Sequence, residues 1–514
     1  MGSVHGRRGR AEYYGRTAKV GALWGVVRQG GNELLAVPTS IIMARLLAPR
    51  EFGVAAAATF FVVLAARMSE FGFNAALVRS KSLRPEHVSS VFVLKLVVGA
   101  LTWLVLSAAS PLVGAFYEAP EAGWVLPLAA IVFVITPFGT IPAALMQRNM
   151  QFRQLTISDW VDSLTQACVT IGLALAGFSF WSLIWGYVAG ALANALTKMF
   201  LAGWTPSLRF SLAAIRELVS YGLGVQFKRL LEYSAQNLDN LVVGKTLGMA
   251  ALGLYDKAFT TMGRIVNRTI LGGSVSFRIF AIIWDQPERF RRAYGKVITT
   301  TTLISIPVLG VCIVMAQELF LLLYGSQWTL AVEPFRILCL AGVLKVINSC
   351  AHRANEASGM IWWQVAIQAL YVVSVVVGVV VGSRFGLGGA AVGVLIATLL
   401  HTALTHVLLR ASTGLRARDM LIPQLPGWLC AFGTILVVGA ARQLLRLTVA
   451  DPAAWHFVLA GGTAAVLFYL GFLIVAPIAA VREIVAESLN DLVPGLAKRF
   501  PRLSQLPEAS GPTV

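Results

Sequence analysis

Lys228, Arg229, Glu232, Gln236, Asp239 and Asn240 crowd into one span-length of the otherwise apolar stretch 219–258. At about 100° per residue, Lys228, Glu232, Gln236 and Asp239 share one helical face, with Arg229 and Asn240 at its edge. An ionisable group in a membrane span is costly and faces protein or water. A helix apolar on most sides and charged along one stripe therefore suits a bundle that lines a wet cavity. Further ionisable groups follow the same habit: Arg28, Glu33, Arg67 and Glu70 early in the chain, then Asp256, Lys257, Arg264 and Arg268. Arg67, Glu70 and Asn74 lie at i, i+3 and i+7, and Arg264 and Arg268 lie one turn apart, each set on one face. The striped helices carry more Arg and Lys than Asp and Glu, which is chemistry for an anion rather than a cation.

These side chains must be positioned by helices, and the helices are duplicated. Shifted back by about 200 residues, the stripe returns as Arg28, Gln29, Asn32, Thr39 and Ser40. The helix exit returns too, because Phe52-Gly53-Val54 answers Leu252-Gly253-Leu254. Apolar runs of bilayer-spanning length divide the chain into a basic N-terminus (1–19), an N-lobe of six helices (20–210), a C-lobe of six (211–412), two further helices (413–478) and a tail (479–514). Units of six preserve orientation, so the halves are read as parallel repeats about an axis along the membrane normal. The expected fold is all-α: a polytopic membrane protein of about 14 transmembrane helices, with two pseudo-symmetric lobes plus two C-terminal helices. In the tail, Ile484, Val485, Leu489, Leu492, Val493 and Leu496 recur at helical spacing. Either an interfacial amphipathic helix or a solvated segment fits that pattern.

Composition agrees. The 514 residues are 57% hydrophobic and 13% charged, with mean hydropathy +0.74, too apolar for a soluble protein. The runs are continuous rather than alternating, which disfavours a β-barrel. The net charge of +18 would suggest nucleic acid in a soluble chain, but here it follows the positive-inside rule. Basic residues gather at Arg7–Lys19, Arg79–Arg84, Arg148–Arg153, Lys198–Arg216, Arg289–Lys296 and Arg410–Arg418. Segments Ser110–Gly123 and Gln317–Thr329 hold neither Lys nor Arg. Both termini are therefore placed in the cytoplasm, no nucleic-acid partner is expected, and no cleavable signal precedes the first span. Cys168, Cys312, Cys339, Cys350 and Cys430 fall in apolar spans without ligand spacing and read as buried inert thiols. No Walker motif, HExxH or clustered histidine set is present, so neither a catalytic residue nor a metal or other cofactor is expected.

The stretch Ala44-Arg45-Leu46-Leu47-Ala48-Pro49-Arg50-Glu51-Phe52-Gly53 resembles the first loop of Wzx-type polysaccharide flippases. Leu238-Asp239-Asn240-Leu241-Val242-Val243-Gly244-Lys245-Thr246-Leu247-Gly248 resembles the hairpin shared across the multidrug/oligosaccharidyl-lipid/polysaccharide (MOP) exporter superfamily. The resemblance covers nearly the whole chain in plan. It implies two lobes in a V, alternating access, and a bacterial inner-membrane protein of exopolysaccharide or lipopolysaccharide biosynthesis. The implied cargo is an undecaprenyl-diphosphate-linked oligosaccharide carried from the cytoplasmic to the periplasmic leaflet, with a polymerase and a chain-length regulator as partners. Guanidinium groups grip phosphate oxygens in pairs. Arg28, Lys228, Arg229, Arg264 and Arg268, with Arg67 behind them, are thus the head-group candidates. Gln29, Asn32, Tyr233, Gln236 and Asn267 are candidates for sugar hydroxyls. Glu70, Glu232 and Asp239 are candidates for coupling to Na⁺ or H⁺.

Structural pairing is the alternative for each charge: Arg28 with Glu70, Lys228 with Glu232, Arg336 with Glu333. Asp159 and Asp162 would then do no more than set helix geometry, and Lys95 would snorkel or cap a groove. Three other functions stay open. A multidrug or organic-cation antiporter of the same superfamily should carry an acidic site. A peptidoglycan-precursor flippase should carry acidic-aromatic and Pro-Asn-rich signatures near the second span, which this chain lacks. A membrane polysaccharide polymerase or glycosyltransferase should carry an extended outer catalytic loop.

Overall fold

The computed structural model describes residues 3–69, 73–80, 83–213, 223–270, 273–449 and 452–475. Glu70 and the tail 479–514 lie outside these residues. Lys228, Arg229 and Glu232 lie on a described helix, but their side chains are outside the described set. The described secondary structure is helical throughout and contains no strand. The chain falls into two compact units, Met1–Asp256 and Lys257–Val514.

In the first unit α1 (Ser3–Leu46), α2 (Pro49–Ser69), α3 (Phe73–Arg79), α4 (Pro85–Tyr117), α5 (Pro120–Ala130), α6 (Val132–Arg148), α7 (Phe152–Leu175), α8 (Trp181–Ala202) and α9 (Leu223–Leu247) follow one another. Proline sets several starts: Pro85 and Pro120 sit in the first turns of α4 and α5, where a missing N–H costs nothing. The segment Ser110–Gly123, expected as an outer loop, is mostly helix, since α4 runs through Pro111 to Tyr117. The turn shrinks to Glu118 and Ala119, with Glu118 left-handed (φ 54°). Lys245 at the end of α9 donates to the Glu118 carboxylate at 2.8 Å.

Inside a bilayer, lipid tails are as apolar as leucine, so close packing rather than the hydrophobic effect holds helices together. The sequence supplies small residues for this. Val54, Ala57, Ala58 and Val62 of α2 are buried at helical spacing against Val125, Leu126 and Ala129 of α5. The tightest approach joins α2 to the start of α10 (Met249–Thr269), whose first eight residues belong to this unit. A Cβ on Gly53 would lie 2.7 Å from the Met249 carbonyl carbon, and one on Gly253 would lie 2.8 Å from that of Pro49. These are the two glycines that the 200-residue repeat equates. The repeat therefore places the same residue on both sides of one backbone-to-backbone contact.

The second unit continues α10 and adds α11 (Gly273–Ile282), α12 (Pro287–Val314), α13 (Ala316–Leu323), α14 (Val332–Ala357), α15 (Ile361–Ser383), α16 (Gly386–Thr413), α17 (Ala417–Leu421), α18 (Leu425–Thr448) and α19 (Ala454–Val475). Its core centres on Trp328, Phe320 and Phe335, all buried. Met315, Val438 and Phe457 pack α18 and α19 onto α13, and Arg442 of α18 closes a 2.6 Å ion pair with the buried Glu318 of α13. The outer face of α19 leaves Leu459, Val466, Leu467, Leu470 and Ile474 exposed, a surface suited to lipid.

Among the described residues, eight helices are long and apolar enough to cross a bilayer, with Pro120–Arg148 and Ala417–Thr448 each counted as one. The striped helices α9 and α10 are not among them, since five charged residues of α9 (Lys228, Arg229, Glu232, Asp239, Lys245) and four of α10 (Asp256, Lys257, Arg264, Arg268) interrupt their hydropathy. The chain is a multi-pass membrane protein. Cys312, Cys339, Cys350 and Cys430 are buried as expected, but Cys168 is exposed on α7, a correction that follows from its outward helical face.

Candidate substrate-facing site

The polar side chains of the first unit gather where α1, α7 and α8 meet. Gly186 and Gly190, one turn apart on α8, let α7 approach so closely that a Cβ on Gly190 would press 3.1 Å from the Cβ of Gln166. That approach brings Asn194 and Lys198 of α8 against Asp159 and Asp162 of α7. Asp159 is the hub: Lys198 Nζ lies 3.1 Å from one carboxylate oxygen and Arg28 Nε of α1 lies 3.4 Å from the other. Asn194 Nδ2 donates to Asp159 and Asp162, each at 3.3 Å, and to the Ser158 carbonyl at 3.2 Å. Ser163 donates to Asn32 of α1 at 3.3 Å. Arg28 meets Asp159, while Glu70, the partner expected for it, lies outside the described residues. Asp159 does more than set helix geometry, because it neutralises a cation from each neighbouring helix.

Beside this hub lies a cavity of about 330 Å³ between α3, α6, α7 and α8, with Gln147, Asp162, Gln166, Tyr187, Asn194 and Lys198 in its wall. A smaller cavity of about 140 Å³ shares Thr136, Thr140 and Tyr187 with it. Lys95 sits between them, donating to Asn74 at 2.9 Å and to Thr140 at 3.4 Å. It therefore turns into the lobe rather than snorkelling to the interface. Arg67 lies on α2 and Asn74 on α3, and Glu70, the middle member of the face expected for the three, lies outside the described residues.

The predicted contacts on the repeat hairpins are distributed as follows. Arg67, Gln29 and Gln236 are exposed, and Asn32 is half-buried. Tyr233 stacks on Phe60 at 6.0 Å and donates to its carbonyl at 3.2 Å, tying α9 to α2. Asp239 is buried, accepting from the Tyr255 hydroxyl at 2.9 Å and from the Asn240 N–H at 3.0 Å. Asn240 in turn donates to Asp256 at 3.0 Å. In the second unit Arg264 is half-buried, while Asn267 and Arg268 are exposed. There Lys257 is buried over the Tyr324 ring at 4.4 Å, and Lys345 lies over Phe259 at 4.7 Å. Arg336 donates to the Ile313 carbonyl at 3.2 Å, and the Glu333 carboxyl packs against Gly388. His401 approaches Asn348 at 3.0 Å and stacks on Tyr371 at 4.4 Å.

Sequence reasoning passed over the cavity. The signal was present: Asp159, Asp162 and Gln166 lie at i, i+3 and i+7 on α7, and Tyr187, Asn194 and Lys198 at i, i+7 and i+11 on α8. Each set marks one face of its helix.

The described residues form an all-helical membrane fold with a polar interior in its first unit. In solved structures the fold is similar to a lipid II flippase, MurJ, in an inward closed conformation. The TM-score is 0.68 at 14% identity, covering 88% of this chain and 98% of that one. It is similar also to a multidrug resistance transporter of the MATE family in its inward-facing conformation, with TM-score 0.58, 14% identity, and 74% and 94% coverage. Residues 42–333 match the family described as polysaccharide biosynthesis protein, and the chain belongs to that family. Among curated relatives it is 22% identical over 451 residues to the lipopolysaccharide biosynthesis protein WzxC of Escherichia coli K12, covering 83% of this chain and 88% of that one. It is 26% identical over 346 residues to the succinoglycan biosynthesis transport protein ExoT of Rhizobium meliloti 1021, covering 66% and 70%.

Proposed function

We propose that this protein is a flippase, not an enzyme, that moves lipid-linked oligosaccharide repeat units across the membrane for exopolysaccharide or lipopolysaccharide synthesis. The observation that carries this reading is membership of the polysaccharide biosynthesis family over residues 42–333, in a chain whose relatives are named for lipopolysaccharide synthesis and succinoglycan transport. The cargo is an undecaprenyl-diphosphate-linked oligosaccharide, moved from the cytoplasmic to the periplasmic leaflet of the inner membrane by alternating access. Fourteen spans put both termini in the cytoplasm, as the distribution of Lys and Arg requires.

A diphosphate crossing a low-dielectric slab needs cations to replace its water. Arg28, Lys228, Arg229, Arg264, Arg268 and Arg67 fill that role. Gln29, Asn32, Tyr233, Gln236 and Asn267 meet hydroxyls of the saccharide. Glu70, Glu232 and Asp239 couple transport to Na⁺ or H⁺. A polymerase and a chain-length regulator act on the product. The half-buried Arg264 and exposed Arg268, one turn apart on α10, support the head-group assignment. The pairing of Arg28 with Asp159 limits its share to one face of the guanidinium.

Reconstitution in vesicles with polyprenyl-diphosphate oligosaccharides, scoring leaflet transfer, tests the reading. Transfer should be present in the wild type and depressed by Arg264→Ala, Arg268→Ala and their combination at equal expression. Wild-type transfer in the combined variant would sink the head-group assignment, and no transfer by the wild type would sink the function.

A further inference from the structure

We infer that the cavity between α3, α6, α7 and α8 is a second binding site, built for one uncharged sugar unit of the transported saccharide. The inference rests on the flippase reading for the source of its ligand, but its chemistry is local. The space of about 330 Å³ falls at the lower end of the range for small-molecule pockets, about 300–1,000 Å³. It would hold roughly ten waters at about 30 Å³ each, far more than a single coordinated ion displaces.

Its wall mixes donors and acceptors as a sugar does. Gln147, Gln166 and Asn194 offer both, Asp162 accepts, and the Tyr187 side chain adds an aromatic wall. A carboxylate beside an amide suits a vicinal diol, whose two hydroxyls donate to one and accept from the other. Within a lobe of apolar helices such groups are expensive unless they meet polar partners. Charge decides the class of sugar. Lys198 is committed to Asp159 at 3.1 Å, and Arg28 to the same carboxylate at 3.4 Å. Asp162, in the wall of the space, accepts from Asn194 at 3.3 Å. Lys95 donates to Asn74 and Thr140 at the edge of the space, and Asp162 puts a carboxyl group in its wall, so the site takes a neutral hexose in preference to a uronic acid.

Ala191 lines the same space, and Cys168 is the exposed native thiol. The experiment therefore uses the full chain in nanodiscs with Cys168→Ser and Ala191→Cys, and follows maleimide labelling of the new thiol. The probes are methyl β-glucopyranoside, methyl β-galactopyranoside, methyl β-glucuronide, and NaCl against choline chloride. Bound glycoside slows labelling by 1 + [L]/Kd, about tenfold at a concentration about nine times Kd. At least one neutral glycoside should protect, and more strongly than the glucuronide. Gln166→Ala and Asn194→Ala should each weaken protection about threefold to tenfold.

Protection by Na⁺ alone would reassign the cavity to an ion and overturn the inference. So would equal protection by the glucuronide, or no protection by any glycoside. Leaflet transfer measured on the same protein separates the two readings. Transfer without protection defeats the sugar site and leaves the flippase standing, whereas protection without transfer supports the site and defeats the flippase.

Discussion

The contact between Gly53 and Gly253 gives the sharpest prediction. Alternating access needs at least two arrangements of the repeated hairpins, and in this one α2 and α10 touch through bare backbone. A Cβ on Gly53 would sit 2.7 Å from the Met249 carbonyl carbon, and one on Gly253 would sit 2.8 Å from that of Pro49 and 2.9 Å from the Gly53 nitrogen. Carbon atoms at rest lie about 3.5–4.0 Å apart, so any side chain forces the two helices to part by about 1 Å. Overpacking of this kind costs about 1–3 kcal/mol, paid only by the arrangement in which the contact is made. A shift of that size changes the balance between two states by about 5- to 150-fold. Gly53→Leu and Gly253→Leu should therefore depopulate this arrangement and lower leaflet transfer, while Gly462→Leu on α19, where a Cβ meets nothing within 4 Å, should change neither. Leu252, 1% exposed beside the contact, reports directly. As Leu252→Cys it should resist maleimide in the parent and label faster when Gly53→Leu is added. Unchanged labelling, transfer and thermal stability in both glycine variants would refute the reasoning.

Other outcomes follow from the ion pairs. Asp159→Ala should destabilise the detergent-solubilised protein by about 1–3 kcal/mol. Lys198→Ala should cost more than Arg28→Ala, because Lys198 is 13% exposed and Arg28 46%; thermal unfolding ranks them, and the reverse order would contradict the hub. Removing Arg442 alone by Leu should cost about 3 kcal/mol, the low end for a buried pair because 21% of its side chain stays exposed. The double variant Arg442→Leu with Glu318→Leu should recover most of that loss. At the α4–α5 turn, the hydrogen bond from Lys245, reinforced by its charge, holds Glu118 below the usual carboxylate range. A depressed folded-state value contributes stability above the ordinary carboxylate pKa and loses it as pH falls through the depressed one. Lys245→Met should consequently shift the melting temperature at neutral pH and converge with the wild type in acid.

The residues themselves determined a great deal: an all-helical membrane class, a duplicated hairpin, and the faces on which charges would lie. Those properties are local or cumulative. Hydropathy over a bilayer's width, helical periodicity and a 200-residue echo need no knowledge of neighbours. Arg264 and Arg268 share a face for the same reason, since two residues four apart on one helix cannot do otherwise. What the tertiary structure decided was partnership. Nothing in the spacing of Arg28 names its partner, and only the packing of α1 against α7 sets Asp159 3.4 Å from it. Asp162, Gln166, Tyr187 and Asn194 look like ordinary polar interruptions of two helices until packing turns their faces onto one cavity. Gly53 and Gly253 likewise read as loop punctuation until their backbones meet. Sequence fixes which way a side chain points around its own axis, whereas which axis lies opposite depends on the packing of the whole lobe.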